Sequence, residues 1–353
     1  MNTTLGDHLV FSTGSSAPRR SPGGRIRVYG ANGAIGYAAE PNAAGPLIVL
    51  GRVGAQCGSL RYCDSDAWVT ENALVCRAKE PGETRYWYYA LQTCRLGDHR
   101  SGSGQPLLSQ RILRDVAVRS VAAPRREAIA KLLGALDDKI TANERVIEAA
   151  ENVMVAIAGS ARERVPLSSL ASRSTAFLNV AEFGDVVAHF SLPAFDDGAK
   201  PRVVRSKSIR SGKFVLSEPC VLFAKLNPRI PRIWNVVRLP SEMALASSEF
   251  VVLKPTGVDA SALWSAVRQP DVSQRLQRRV AGTSGSHQRI HPRDLLDVGV
   301  PDVRRLPTAA LQTITGLGVL CQARCTESAR LSAFRDALLP RLISGELSVR
   351  SPR

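Results

Sequence analysis

The residues able to do chemistry are spaced in ways that exclude most of it. Gly212-Lys213 is followed by Phe214, and Lys207 stands where a phosphate-binding loop needs its first glycine. The glycines of "GANGAIG" (Gly30 to Gly36) have the wrong spacing for a dinucleotide or S-adenosylmethionine loop. Asn227-Pro228 lies in "LNPRIPR", but an amino-methyltransferase loop needs an aromatic residue where Ile230 stands. The cysteines (57, 63, 76, 94, 220, 321, 325) form no CxxC pair and no zinc spacing with the five histidines, so no metal site is expected. Cys321 and Cys325 are four apart on a predicted helix and read as small packing residues. Asp137-Asp138 and Asp196-Asp197 are acidic pairs. Adjacent helical residues do not face one site, so the first pair reads as surface charge. Catalysis by this chain alone is not expected.

Binding to a polyanion is better supported. The chain has 47 Lys+Arg against 31 Asp+Glu, a formal net charge of +16, and a pI near 10.1. Such an excess points to nucleic acid or an acidic membrane surface; the bland reading is a generally arginine-rich protein. The candidates gather in short stretches. "YGANGAIGY" is a glycine-rich hairpin whose Asn32-Gly33 is a tight-turn signal, with Asn32 able to bond a base edge. "GRVGAQCGSLRY" offers Arg52, Gln56 and Arg61, and "SGSGQP" offers Ser101, Ser103 and Gln105. Later come Lys207, Arg210, Lys213, Lys225, Asn227, Arg229 and Arg232, then Ser284, Gln288 and Arg289. Arg and Lys reach phosphate or guanine, while Asn and Gln suit adenine. Each residue taken singly reads equally well as solvated surface.

Long helices and strand-rich segments must position these residues. From about Arg125 to Ala161, Ile129, Leu133, Leu136, Ile140, Asn143, Ile147, Ala150, Met154 and Ile157 follow a 4-3 spacing, the period of a coiled coil. Pro124 stands at the entrance, where its missing N–H does no harm. Such a helix is roughly 55 Å long. A second helix is predicted from about Thr308 to Ile343, with Leu331, Phe334, Leu338 and Leu342 on one stripe and Ile314 and Leu317 extending it. Pro340 should interrupt it and Gly345 should cap it.

The remaining segments hold short β-type runs such as "PLIVLGRVG" and "KFVLSEPCVLFAKL". Something is built twice. "LRDVAV" (Leu113 to Val118) lies over "LLDVGV" (Leu295 to Val300) at an offset of about 182 residues, which also sets Gly316 over Gly134. "TLGDHLV" and "VPLSSLA" open the two strand-rich segments alike. The expected fold is mixed α/β (α+β). Globular domains span 1–123 and 163–305, connector helices span 124–162 and 306–347, and a tail spans 348–353. The two helices should pack antiparallel under pseudo-twofold symmetry, with the globules at opposite ends. "YGANGAIGY" and "KLNPRIPRIW" read as loops private to one globule each. No membrane span or signal peptide is read, so a cytoplasmic protein is expected.

With these stretches in order, the chain resembles the specificity (S) subunit of type I restriction-modification systems. The resemblance runs through "YGANGAIGY", "GRVGAQCGSLRY" with "WVTENALV", "SGSGQPLLSQRIL", "IAKLLGALDDKITANERVIE", "LFAKLNPRIPRIW" with "ALASSEFVVLKP", and "FRDALLPRLISGELSV". The chain departs from the family pattern at "SVAAPRRE", which lacks a proline-rich lead, and at "GLGVLCQARCTES". The resemblance implies two target-recognition domains, each reading one half of a split, asymmetric DNA target, and helices that set the spacing. It implies no cofactor on this chain. Partners would be double-stranded DNA, two modification (methyltransferase) subunits using S-adenosylmethionine, and restriction subunits using ATP and magnesium. The alternatives are a basic nucleic-acid-processing enzyme, such as a metal-dependent nuclease, and a coiled-coil scaffold.

Overall fold

The computed structural model describes residues 2–19, 21, 23–101, 106–228, 230–280 and 288–349. They form two compact units, Met1–Asp138 with Leu331–Arg353, and Lys139–Arg330. The first contains β1 (Asn2–Thr4), α1 (Leu5–His8), β2 (Leu9–Thr13), β3 (Ile26–Gly30), β4 (Gly33–Ala38), β5 (Leu47–Gly51), β6 (Leu60–Cys63), β7 (Trp68–Val69), β8 (Ala73–Ala78), α2 (Thr84–Thr93), α3 (Gln110–Arg114), β9 (Ala117–Arg119) and the start of α4 (Ala123–Gly159). The second holds the rest of α4, then β10 (Arg164–Pro166), β11 (Ala171–Arg173), β12 (Phe177–Leu178), β13 (Val186–Phe190), α5 (Leu192–Asp196), β14 (Arg202–Arg205), β15 (Lys213–Leu216), β16 (Cys220–Ala224), β17 (Ile233–Val236), β18 (Met243–Ala246), β19 (Phe250–Pro255), α6 (Ala260–Val267), α7 (Pro270–Val280), α8 (Pro292–Leu296), β20 (Gly299–Pro301) and most of α9 (Thr308–Ser344).

The repeat seen in the sequence is a repeat of hydrogen bonds. Each unit has one four-stranded antiparallel sheet, ordered β2-β8-β5-β6 in the first and β11-β19-β16-β17 in the second. Its inner strands are continuous apolar runs, Leu47–Gly51 and Cys220–Ala224, buried at every residue. That pattern suits a strand covered on both faces. A helix after the fourth strand in sequence covers each sheet. Tyr86, Trp87 and Tyr89 of α2 are fully buried, and so is every residue of α6. Leu113 and Leu295, the leucines of the repeated motif, are both fully buried. The turn they anchor accepts a bond from the opening segment, Leu5 N–H to Val116 O and Leu167 N–H to Val298 O, each at 2.9 Å. The short pairs β1–β9 and β10–β20 continue that contact.

α4 and α9 are unbroken helices packed antiparallel. In the first unit Ile129 and Leu133 pack with Leu339, Leu342 and Ile343. In the second, Met154 and Ala158 pack with Ile314. The expected seam is buried at Ile129, Leu133, Asn143, Met154 and Leu342, but only half-buried at Leu136, Ile140, Ile147, Leu331 and Leu338. Sheet-backed ends close over the seam with a third layer. Two helices alone leave the flanks of each side chain open. Phe334 is 54% exposed, and Arg335 takes the inward place expected for it. α9 also runs through Pro340 without ending, and stops at Gly345, whose φ of +87° is the left-handed cap.

Polar groups fix the register. Asn143 Nδ2 donates to Glu327 Oε2 at 3.0 Å and to Ser328 Oγ at 3.2 Å. Of the Asp137-Asp138 pair, Asp137 is structural, while Asp138 is surface charge as expected, its side chain 67% exposed. Asp137 accepts from Tyr89 Oη at 2.5 Å and Arg335 at 2.6 Å, while Asp138 accepts from Arg85 at 3.0 Å. Adjacent carboxylates face different partners because helical neighbours diverge by about 100°. Arg85 fits because the helix beneath it carries Gly134, whose missing Cβ would lie 2.8 Å from the guanidinium. The counterpart in the second unit is Gly318, set against Ser261, and not Gly316, which has open space around it.

Candidate nucleic-acid interface

The loops after β5 and β16 are the same structural element. In the first unit Arg52 N–H bonds Asn72 O (3.1 Å), Leu108 N–H bonds Arg52 O (2.9 Å), and Gly54 N–H bonds Pro106 O (3.2 Å). In the second, Lys225 N–H bonds Glu249 O (2.8 Å), Ile290 N–H bonds Lys225 O (2.8 Å), and Asn227 N–H bonds Gln288 O (3.0 Å). Isolated antiparallel bridges complete the match, Val53 with Leu107 and Leu226 with Arg289. Arg52 therefore corresponds to Lys225, Gly54 to Asn227, and Leu107 to Arg289. The reading of "KLNPRIPRIW" as private to the second globule is corrected accordingly.

This arrangement brings most first-unit candidates together. Ser101 and Leu107 exchange backbone bonds at 2.9 Å, so Ser101 lies beside the Arg52–Gln56 loop. Ser59 Oγ donates to Ala31 O at 2.8 Å, which seats the Asn32-Gly33 turn on the same element. Arg61 Nε lies 3.9 Å from where a Cβ on Gly33 would stand. Asn32, Gln56 and Arg61 are exposed, and Arg52 is half-buried. Ser103 and Gln105 lie outside the described residues.

In the second unit Lys225, Asn227, Gln288 and Arg289 come together. Arg289 pairs with Glu249 at 2.9 Å. Burial holds the Lys225 ammonium below the usual lysine range, and Glu249 opposes that shift. Arg229 and Ser284 lie outside the described residues. Lys207, Arg210 and Lys213 belong to the β14–β15 segment, part of a separate five-stranded sheet ordered β12-β15-β18-β13-β14. Lys207 and Arg210 are exposed. Lys213 does not fit a contact role, being only 6% exposed with its ammonium donating to Ser211 O and Oγ at 2.8 and 2.7 Å. Arg232 is likewise occupied by a two-pronged pair with Asp196 at 2.6 and 2.9 Å. In both cases the cation satisfies a local acceptor that the sequence pattern did not disclose.

The "YGANGAIGY" hairpin has a counterpart too. β3 runs antiparallel to β4 and parallel to β7, just as β13 runs antiparallel to β14 and parallel to β18. The tight turn Ala31-Asn32 is replaced in the second unit by α5 and its flanks. Sequence reading also missed α7, whose Gln277 Nε2 donates to Pro228 O at 3.3 Å beside the loop, followed by exposed Arg278 and Arg279. The signal was the "QRLQRR" run. Among the described residues no group of three or more His, Cys, Asp or Glu could hold a metal ion, and no helix is long and apolar enough to cross a membrane.

No family model matches the chain. A stretch of 110 residues, 31% of the chain, is 30% identical to the type I restriction enzyme EcoprrI specificity subunit of Escherichia coli and spans 27% of that protein. Over its length the chain is similar in structure to the type I restriction-modification S subunit from M. genitalium, with a TM-score of 0.60 at 14% identity, covering 97% of this chain and 96% of that one. The HsdS subunit from Thermoanaerobacter tengcongensis is 14% identical, with a TM-score of 0.32 over 98% and 97% of the two chains. The chain thus resembles type I specificity subunits in sequence and has their fold: two β-rich α/β domains with two long helices packed together.

Proposed function

We propose that this chain is the DNA-reading, non-catalytic specificity subunit of a type I restriction-modification complex, and that each unit reads one half of a bipartite target. The observation that carries the reading is the loop built twice on the same main-chain bonds, once around Arg52 and Gly54 and once around Lys225 and Asn227. Rigid strands on both sides hold these loops, as precise base readout demands. Asn32, Gln56, Arg61, Ser101, Gln288 and Arg289 flank them, and Lys207 and Arg210 are exposed cations between β14 and β15 of the five-stranded sheet. Between 165 and 305 there are 20 Lys+Arg against 12 Asp+Glu, which suits a phosphate-lined partner.

In this reading the helices set the spacer between half-sites and dock two modification subunits. Half-exposed Val146 and Val153 on α4, and Val319 and Phe334 on α9, offer apolar contact for such partners. The partners would supply adenine methylation with S-adenosylmethionine, and restriction subunits would supply ATP- and magnesium-dependent cleavage, in the cytoplasm. The test is duplex binding by the intact chain as salt is raised. Affinity should fall steeply, because each neutralised phosphate releases counterions. Salt-independent binding, or cleavage by the chain alone with magnesium, would refute the reading; the second result would favour the nuclease alternative.

A further inference from the structure

The two loops differ most at one equivalent position. Both pass through the left-handed region there, Gly54 at φ +72° and Asn227 at φ +53°. Glycine is the ordinary residue for that conformation. Asn227 is moreover followed by Pro228, whose ring restricts the residue before it. Backbone considerations alone therefore call for glycine in the second loop, as in the first. Asparagine is among the few side chains that tolerate the left-handed region, so the position keeps a side chain at the least conformational cost open to it.

The surroundings fix the backbone that carries that side chain. The Asn227 N–H is bonded to Gln288 O and its carbonyl accepts from Ile230 N–H, both at 3.0 Å, so its backbone is fixed from both sides. Lys225 lies two residues before it, and Arg289 stands in the bridge beside it. In the first loop the matching places hold Arg52 and Leu107. A cation precedes the apex in both units, but the carboxamide occurs in one. Sequence-independent attraction is thus common to the loops, and an amide group at the apex position itself, offering one donor and one acceptor, is not. That donor-acceptor pair is the partner of adenine N7 and N6 in the major groove.

Resting on the DNA-reading function, we propose that Asn227 is a specificity-determining residue that reads one base pair of the second half-site, and that Gly54 leaves the equivalent position of the first unit without side-chain readout. The substitutions that test this are structurally mild. Asn227→Gly suits the observed φ, and Gly54→Asn meets no atom of the described residues within 4 Å of its new Cβ, at a positive φ that asparagine tolerates better than other side chains. Intact wild-type and variant chains, checked by thermal unfolding, would be used to select from a randomised duplex library. N227G should lose preference at one base pair of one half-site, by about 5- to 100-fold for a lost bidentate contact, and leave the other half-site intact. G54N should leave the second half-site unchanged and gain a preference within the first. Unchanged selectivity at every position in N227G, or a uniform fall in affinity across all sequences, would overturn the assignment while leaving DNA reading intact. A wild-type chain that enriches no sequence would refute the DNA-reading function and the assignment with it.

Discussion

Removing the Asp137 carboxylate should destabilise the chain far more than loss of a surface charge. Tyr89 is fully buried, and its hydroxyl donates to Asp137 Oδ2 at 2.5 Å; Arg335 donates to Oδ1 at 2.6 Å. The Asp137 and Arg335 side chains are 22% and 23% exposed, so solvent screens their pair only partly. Burial and the Asp137 charge both push the Tyr89 phenol up, so the hydroxyl is a committed donor. Asp137→Ala orphans that donor, at about 1–3 kcal/mol. Arg335 keeps Asp336 at 2.7 Å, so loss of its second partner adds only about 1 kcal/mol. A total of about 2–4 kcal/mol follows. Tyr89→Phe should cost about 1.5–3 kcal/mol, the range for a bond to a charged group. In the double variant no hydroxyl is orphaned, and the loss should fall short of the sum by about 1–2 kcal/mol. Urea unfolding of the four proteins measures this cycle. A change below about 0.5 kcal/mol in D137A, the size expected of an unremarkable surface site, would refute the argument.

Three other outcomes are expected. Gly318→Ala should lower the melting temperature, because its Cβ would meet the Ser261 side chain, whereas Gly316→Ala, in open space, should raise stability by about 1 kcal/mol through helix propensity. Burial raises the Glu151 carboxyl above its ordinary value of 4.5, with Arg268 opposing. The native state then holds that proton more tightly than the unfolded state, so stability is lost as pH rises from 4.5 through the raised value; Glu151→Gln should stabilise the chain near neutrality, and the gain should vanish in melts below pH 4.5. Inserting four residues near Ala142 should lengthen the tolerated DNA spacer and preserve each half-site, as methylation mapping in cells with the partner subunits would show; a changed half-site would contradict the role proposed for the helices.

α4 was legible because its core repeats at a 4-3 spacing that survives without a relative for comparison; α9 was legible through Leu338 and Leu342, although its expected stripe failed at Phe334. The duplication was legible at Leu113 and Leu295, where a buried leucine and the turn after it tolerate little change. The match between the Arg52 and Lys225 loops was not. Its defining bonds run through backbone N–H and C=O groups, which "RVGAQ" and "KLNPR" supply equally well despite sharing almost no side chains. Insertions also shift the offset from one element to the next, so no single alignment register joins both loops and both turns. Charge misled in a different way. Lys213 and Arg232 look like their basic neighbours in sequence, but one turns inward beside Ser211 and the other is held by Asp196, 36 residues away.

What the two units share and what they do not divide along the same line. The four-stranded sheet, its covering helix and the bonded loop recur with equivalent main-chain partners. The smaller sheet does not: three strands, β4-β3-β7, become five through β12 and β15, and a two-residue turn at Ala31-Asn32 becomes the α5 segment. A frame that holds a loop in place must satisfy buried backbone groups, and few arrangements do so. The outer sheet and the loop side chains carry no such burden and are free to diverge. If each unit reads DNA as proposed, two readers on one frame, with Gly54 in one and Asn227 in the other and different outer sheets beside them, would present different donors and acceptors to it. On the proposed function the target is therefore asymmetric: a palindrome would require the loops to match in side chains as well as in backbone, and they match only in backbone.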